Sequence, residues 1–256
     1  MSPTDFEIRL PEEFGNLAIN QEYFFINQDG KERKLMLHDY AEVYSIPGLY
    51  EYLALEKLRY QSPGVFSSLL IEKVTQAGGI VEDLVVLEIG AGSGLFGRAL
   101  TNLGVKSITG VDIVPEAADA AEREYPGVYE NYYAEDLANL SQTAQEALTS
   151  RGFNCLVCCS ALSSGHIPAE ALTTALNAIA PSGWIAFNVA KEVWENKGAG
   201  GFVQLHPWVA ETDSFEIVTT HSYQHRIYMD GRPLEYVAII GRKRSDDCRT
   251  YPEQGG

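Results

Sequence analysis

Basic residues are scarce in this sequence. Lys and Arg number 19 against 35 Asp and Glu, a formal net charge of −16, and the longest basic run is Arg242-Lys243-Arg244. A nucleic-acid partner demands a cationic surface that neutralises phosphates, and an anionic membrane repels a chain of this charge, so neither is expected as a partner. Long apolar runs are missing as well. No stretch approaches the ~18 consecutive apolar residues of a spanning helix, and Met1 to Leu10 carries charges with no apolar core of signal-peptide length. A soluble, cytoplasmic protein is the expectation. Cysteine is rare: of four, Cys155, Cys158 and Cys159 fall in one apolar run and Cys248 lies near the end. Cys155-x-x-Cys158 imitates a redox or zinc motif, but residues three apart on a strand point to opposite faces. Reduced thiols packed as small core residues are expected instead, which suits a reducing compartment. The five histidines lack close metal-ligand spacing, so no metal site is expected.

What is present is enough apolar surface for a core, with 45% hydrophobic residues in a chain of 256. The expected division is an N-terminal extension with lid helices over residues 1–78 and an α/β core over residues 79–256. The core is organised around Leu84 to Gly97. Leu84-Val85-Val86-Leu87-Glu88-Ile89 reads as a buried parallel strand, Gly90-Ala91-Gly92-Ser93-Gly94 as a tight turn, and Leu95 onward as a helix. Glycines suit a turn whose backbone angles a Cβ forbids and which a ligand approaches closely. The result is a nucleotide-binding edge.

Strands and helices alternate from there. Strands are expected over 107–111, 128–133, 153–159 and 183–189, and helices over 95–103, 115–124, 141–150 and 168–180, an order that implies a parallel sheet with helices on both faces. The ending differs, since 215–223 and 235–241 read as strands joined by a turn at Asp230-Gly231. In the extension, Glu22 to Asn27 and Glu32 to Leu37 flank an Asp29-Gly30 turn, a hairpin pattern. Between His38 and Ala77 the pattern is helical, with breaks at Pro47-Gly48 and Ser62-Pro63-Gly64 and a high density of tyrosine. Ser62 reads as an N-cap with Pro63 opening the helix. The tyrosines suit either a packed apolar face or a lid over a pocket.

The glycines alone admit two cofactors. Gly92-x-Gly94-x-x-Gly97, with Asp112 twenty residues after Gly92, satisfies the dinucleotide fingerprint of an NAD(P)-dependent oxidoreductase. Counted from Glu88, as Glu88-x-Gly90-x-Gly92-x-Gly94, the stretch resembles the first motif of class I S-adenosylmethionine-dependent methyltransferases. The resemblance continues in order through Gly110-Val111-Asp112-Ile113, Tyr133-Ala134-Glu135-Asp136-Leu137, the strand Phe153 to Leu162, and Ile179-Ala180-Pro181-Ser182-Gly183-Trp184, where Ser182 replaces a glycine. It implies a Rossmann-like, seven-stranded, mostly parallel sheet with a C-terminal antiparallel hairpin, and S-adenosyl-L-methionine as cofactor. The implied cofactor set is Glu88, Gly90, Gly92, Gly94, Asp112, Ile113, Asp136, Leu137 and Ser160. In it Glu88 holds the ammonium group, Asp112 both ribose hydroxyls, Ile113 the adenine face and Asp136 the adenine amino group, though Glu135 can serve in place of Asp136. Ser163-Ser164-Gly165-His166-Ile167-Pro168, Phe187-Asn188-Val189 and Trp194-Glu195 are similar to small methyltransferases of the Williams–Beuren syndrome region type.

The resemblance implies transfer of a methyl group to oxygen or nitrogen of a small, partly apolar metabolite. The alternative is a protein that binds the same cofactor without methylating, such as a cyclase. The acceptor is expected above the carboxyl ends of the fourth and fifth strands. His166 is the base expected there, because imidazole titrates near neutrality, with His206 second; His221 and His225 are assigned to the final hairpin. Tyr44, Tyr50, Ser163, Trp194 and Trp208 form the expected substrate wall. Lys197 to Phe202, rich in glycine, reads as a surface loop or a second lid.

Overall fold

The computed structural model of the chain describes residues 6–11, 18–162, 167–195 and 215–244. Near the N-terminus, β1 (Glu7–Arg9), β2 (Tyr23–Gln28) and β3 (Lys31–Met36) form an antiparallel sheet. Gln28 pairs with Lys31, which leaves Asp29 and Gly30 as a two-residue turn, both at positive φ (51° and 75°). Such a turn matches the natural twist of paired strands. Alternation places Phe24 and Ile26 on the buried face, packed with Val43, Leu49 and Leu53. Those partners come from α1 (Tyr40–Ser45) and from α2 (Leu49–Glu51), which runs on as a π-helical stretch, Tyr52–Lys57. Leu58 N–H closes the wide turn onto the Leu53 carbonyl at 2.9 Å. Turns of this kind concentrate at functional sites.

The next helix, α3 (Ser62–Gln76), starts where the Ser-Pro signal lies but is not capped by Ser62. Gln61 occupies the N-cap, while Ser62 Oγ is buried between Tyr223 Oη and His225 Nδ1, each 2.7 Å away. Two buried partners hold the hydroxyl away from the helix end, because an unmatched polar atom in the interior is costly.

The large sheet follows as β4 (Val85–Ile89), α4 (Leu95–Asn102), β5 (Ser107–Asp112), α5 (Pro115–Glu124), β6 (Asn131–Ala134), α6 (Gln142–Ser150) and β7 (Phe153–Cys158). It is completed by α7 (Ala169–Asn177), β8 (Ile179–Ala190), α8 (Lys191–Glu195), β9 (Phe215–Ile227) and β10 (Pro233–Lys243). Spatial order is β6-β5-β4-β7-β8-β10-β9, parallel through β8, with β10 antiparallel to both β8 and β9. This is the expected Rossmann-like sheet with its antiparallel hairpin. Several elements differ in extent: β9 runs on to Ile227, β10 spans Pro233–Lys243, α7 stops at Asn177, and two strands differ most at their starts. β6 begins three residues late because Val128 and Tyr129 turn inward onto Gly97. β8 begins four residues early because Ile179 already pairs with Phe153, and an irregularity in register follows.

Strand β7 shows how both faces are covered. Leu156 and Cys158 join Leu148, Leu172 and Leu176 of α6 and α7, whereas Cys155 and Val157 join Phe66, Leu70, Phe96 and Leu100 of α3 and α4. Cys155 and Cys158 thus lie on opposite faces, and with Cys159 they are buried free thiols. Full burial of each Leu or Phe contributes about 1.5–3 kcal/mol. Among the described residues no helix is long and apolar enough to cross a membrane. The order reverses between β4 and β7, so the crevice where open sheets bind ligands falls at the carboxyl ends of these two strands.

Candidate active site

The turn after β4 needs its glycines. Gly90 and Gly92 hold φ of 64° and 55°. A Cβ on Gly90 would lie 2.3 Å from that of Ala161, and one on Gly92 would lie 2.7 Å from the Tyr44 hydroxyl. Torsion and space both exclude a side chain. Neighbouring strands clamp the turn: Gly92 N–H donates to Asp112 Oδ2 at 2.9 Å, and the Tyr132 hydroxyl donates to the Gly92 carbonyl at 2.7 Å. Asp112 Oδ1 accepts the Val114 N–H at 2.9 Å. Burial holds the Asp112 carboxyl above its ordinary range, against the pull of these backbone donors. Each of its oxygens keeps a lone pair.

Glu88 lies beneath this turn and does not line the cavity. It is 1% exposed, and its Oε2 accepts the Tyr129 hydroxyl at 3.0 Å. Burial lifts the Glu88 carboxyl to about 8, with the Tyr129 bond opposing the rise and the Asp112 charge adding to it. The Tyr129 ring fills the space beside Gly94, Gly97 and Gly110. The carboxyl and the phenol together support the turn from below.

A cavity of about 470 Å³ opens above the strand ends. Six of the residues expected at the cofactor line it: Gly90, Asp112, Ile113, Asp136, Leu137 and Ser160; Gly92 and Gly94 form the turn behind. Ile113 is 62% exposed, a large apolar side chain standing on the cavity wall beside a carboxylate. Of the two acids after β6, Glu135 is committed to Ser141, taking its N–H at 2.7 Å and its hydroxyl at 2.9 Å. Asp136 accepts the Ala138 N–H through Oδ1 at 2.9 Å. Ser160, at the end of β7, holds φ of 64°, donates its N–H to Asn188 Oδ1 at 2.5 Å and accepts the Tyr60 hydroxyl at 3.1 Å. A non-glycine residue in this region is strained and is held there by its surroundings.

Tyr44 and Tyr50 line the cavity, as does Tyr40. Tyr40 stacks on Tyr44 at 5.5 Å, and Tyr50 meets Tyr44 edge-on at 5.1 Å. Hydrogen bonds fasten the segment carrying them to the core. Ser93 donates to Glu51 at 2.7 Å, Arg123 to the Tyr44 carbonyl at 2.9 Å, and the Gly48 N–H to Glu124 at 2.9 Å. Trp194 is not part of the wall. β8 carries the chain to Ala190, and α8 then packs Val193 and Trp194 against the core cluster under α6 and α7. Ser163, His166, His206, Trp208 and the glycine-rich 197–202 lie outside the described residues.

The cavity also takes in Tyr60, His225, Arg226 and Tyr236, which were not foreseen as site residues. His225 stacks on Tyr236 at 3.7 Å and meets the Tyr60 ring edge-on at 5.0 Å. Burial, with the Arg226 charge adding to it, pushes the His225 imidazole well below its ordinary range, so it is neutral. The usable sequence signal was the i, i+2 pair Tyr223 and His225, which places both on one strand face.

Comparisons with known proteins agree with this architecture. Residues 60–229 match the family model described as a methyltransferase domain. A search of curated proteins finds no match. Among solved structures, the chain is similar to an S-adenosylmethionine-dependent methyltransferase from Clostridium acetobutylicum, with 12% identity over 77% of this chain and 96% of that one and a TM-score of 0.53. It is similar to the N-methyltransferase NodS from Bradyrhizobium japonicum in complex with S-adenosyl-L-homocysteine, with 19% identity over 70% and 86% and a TM-score of 0.50. It is also similar to magnesium protoporphyrin IX methyltransferase from Synechocystis with bound S-adenosylhomocysteine, with 16% identity over 74% and 86% and a TM-score of 0.50. At such identities the likeness concerns the fold alone. The family match is of a different kind, since it spans well over half of the sequence and takes in the glycine turn, Asp112, Asp136 and Ser160; the chain belongs to the methyltransferase domain family.

Proposed function

We propose that the protein uses S-adenosyl-L-methionine to methylate oxygen or nitrogen of a small, partly apolar metabolite. The observation that carries this reading is one cavity that joins Asp112, Ile113 and Asp136 to a wall of tyrosines. The residues present suit the cofactor. The remaining lone pairs of Asp112 match a ribose diol, Ile113 offers an apolar face for a base, Asp136 can accept from an exocyclic amine, and Gly90 brings bare backbone to the surface. It is Gly90, and neither Gly92 nor Gly94, that lines the cavity, which favours the frame counted from Glu88 over the dinucleotide fingerprint.

What the bound cofactor supplies is a methyl group on a sulfonium, open to displacement by a nucleophile in line with it. The chain's part is to hold the acceptor in that line, which can account for much of such a rate. Tyr40, Tyr44 and Tyr50 close over the site from α1 and α2 and keep water out. The cavity falls within the range of about 300–1,000 Å³ used for small ligands, and tyrosine walls on a chain of net charge −16 favour a metabolite over a nucleic acid. His166 is the base we assign. Residues 79–256 are proposed as the transferase core and 1–78 as its extension and lid, with kinship to the Williams–Beuren syndrome region type and, from three buried free thiols, a cytoplasmic setting.

Calorimetry with S-adenosylhomocysteine tests the reading. Binding is expected in the wild type, and Asp112→Ala should weaken it about 10- to 100-fold, the worth of charged hydrogen bonds. Isotope-labelled methyl should then appear in a small product. No binding, or unchanged binding in Asp112→Ala, overturns the reading.

A further inference from the structure

A polar network stands behind the cavity and touches the expected cofactor residues only at Ser160. Asn188, on β8, is fully buried, and its Oδ1 lies 2.5 Å from Ser160 N. A backbone N–H can only donate, so this contact fixes the amide with its oxygen toward Ser160 and its NH₂ on the other side. Nδ2 reaches Tyr223 Oη at 2.7 Å, and Ser62 Oγ and Ser160 Oγ at 3.3 Å each. Tyr223 Oη, accepting from Asn188, has one hydrogen to give. Its other partner among the described residues is Ser62 Oγ at 2.7 Å. Ser62, accepting from Tyr223, then gives its own hydrogen to His225 Nδ1, also at 2.7 Å. Each direction follows from the one before it, beginning with a donor that has no alternative.

Nδ1 of His225 is therefore an acceptor, and a neutral imidazole that accepts at Nδ1 carries its proton at Nε2. The other tautomer would turn the Ser62 hydroxyl toward Tyr223 and leave a buried phenolic hydrogen with no acceptor among the described residues. Nε2 itself has no hydrogen-bond partner among the described residues, and the ring lines the cavity.

We infer that His225 presents an Nε2–H donor to the cavity, fixed in that form by Asn188 through Tyr223 and Ser62, and that this donor recognises an oxygen of the methyl acceptor. A carbonyl, carboxylate or phenolate oxygen completes the donor, whereas an ammonium group there meets a second donor and is rejected. The surroundings keep the ring neutral, with Tyr236 stacked on its face, Tyr60 at its edge and the Arg226 guanidinium next in the chain. His225 is in this sense a specificity-determining residue. The recognition rests on the methyltransferase reading; the tautomer does not.

Full-length protein labelled with ¹⁵N in histidine tests both halves. Long-range ¹H–¹⁵N NMR near neutral pH, with the His225 signals assigned by their loss in His225→Gln, should show Nε2 protonated and Nδ1 bare. Ser62→Ala, which removes the hydrogen given to Nδ1, should bring the Nδ1–H form into view. A wild-type ring in the Nδ1–H form, or as imidazolium, overturns the proposal. On protein saturated with S-adenosylhomocysteine, acetophenone should shift the Nε2–H signal, and α-methylstyrene, in which a methylene replaces the carbonyl oxygen, should not. Equal shifts, or none, overturn the recognition. Failure of S-adenosylhomocysteine to bind counts against the methyltransferase reading and leaves the tautomer result standing.

Discussion

The carboxylate of Glu22 receives the guanidinium of Arg226 at 2.5 Å, across 204 positions of sequence, with only 2% and 8% of the two side chains exposed. Glu22 also accepts the Met229 N–H at 2.8 Å, and Arg226 donates to the Ile227 carbonyl at 2.9 Å. The pair fastens the N-terminal segment to the hairpin of β9 and β10. Breaking such a pair by removing one member strands a buried charge, at a cost of about 3–5 kcal/mol, while replacing both members with apolar residues is often near neutral. Glu22→Gln should therefore lower the urea midpoint strongly, and Glu22→Leu combined with Arg226→Leu should recover most of the loss. A mild effect of Glu22→Gln would show that the pair is solvated in solution.

Glu88 sets a dependence of stability on pH. The folded chain holds its carboxyl proton up to about 8, because burial outweighs the Tyr129 hydrogen bond. The unfolded chain releases that proton in the ordinary carboxylate range, about 4.5. Between these limits the folded state binds the more protons, so stability falls as pH rises through the window and levels off above it. Glu88→Gln still accepts the Tyr129 hydroxyl and has no proton to lose. Urea unfolding at about pH 5 and about pH 8 should show a shallower fall in the variant, by up to about 1.4 kcal/mol per pH unit. Parallel slopes would place the Glu88 titration outside the window.

The order of strands and helices was legible because it rests on local pattern. The apolar run into Gly90, the Pro opening α5 and the Asp29-Gly30 turn each determine their own geometry within a few residues. Asp112, Asp136 and Ser160 could be read for a related reason, since a strand end in this fold delivers its next residue to the crevice. The far end of the cavity was not legible. Ser62 and His225 are 163 positions apart, and Asn188 meets Tyr223 across 35. Nothing local distinguishes a serine that caps a helix from one that a distant strand has claimed. Trp194 illustrates the converse: a tryptophan just past a strand end invites a pocket assignment, but α8 turns it onto the core.

Ser182 stands where the related turn carries a glycine, and its backbone explains why. It is exposed, with φ of 62°, a torsion that costs a side-chain-bearing residue about 1–2 kcal/mol. Ser182→Gly relieves that cost and adds about 0.5–1 kcal/mol of unfolded-state entropy. A net gain of about 0.5–1 kcal/mol in urea unfolding is expected, with S-adenosylhomocysteine affinity unchanged because Ser182 does not line the cavity. Ser182→Ala serves as the control and should show no gain.

Tyr44 rests on the glycine turn with its hydroxyl 2.7 Å from the place a Gly92 Cβ would occupy. Gly92→Ala therefore carries two separable costs. One is torsional, about 1–2 kcal/mol for a side chain at φ of 55°. The other is steric: Tyr40 and Tyr50 hold the Tyr44 ring in place, so its hydroxyl cannot simply swing aside. Tyr44→Phe removes that oxygen and leaves the torsion untouched. A double-mutant cycle in urea should thus show coupling of about 1 kcal/mol, the double variant being more stable than the sum of the singles. Additive effects would mean that the hydroxyl does not sit on the turn in solution. Cofactor binding should follow the torsional cost alone, because Gly92 φ aims its N–H at Asp112. On that basis the double variant regains stability but still binds S-adenosylhomocysteine more weakly than the wild type, which separates the Tyr44 contact with the turn from the turn's hold on Asp112.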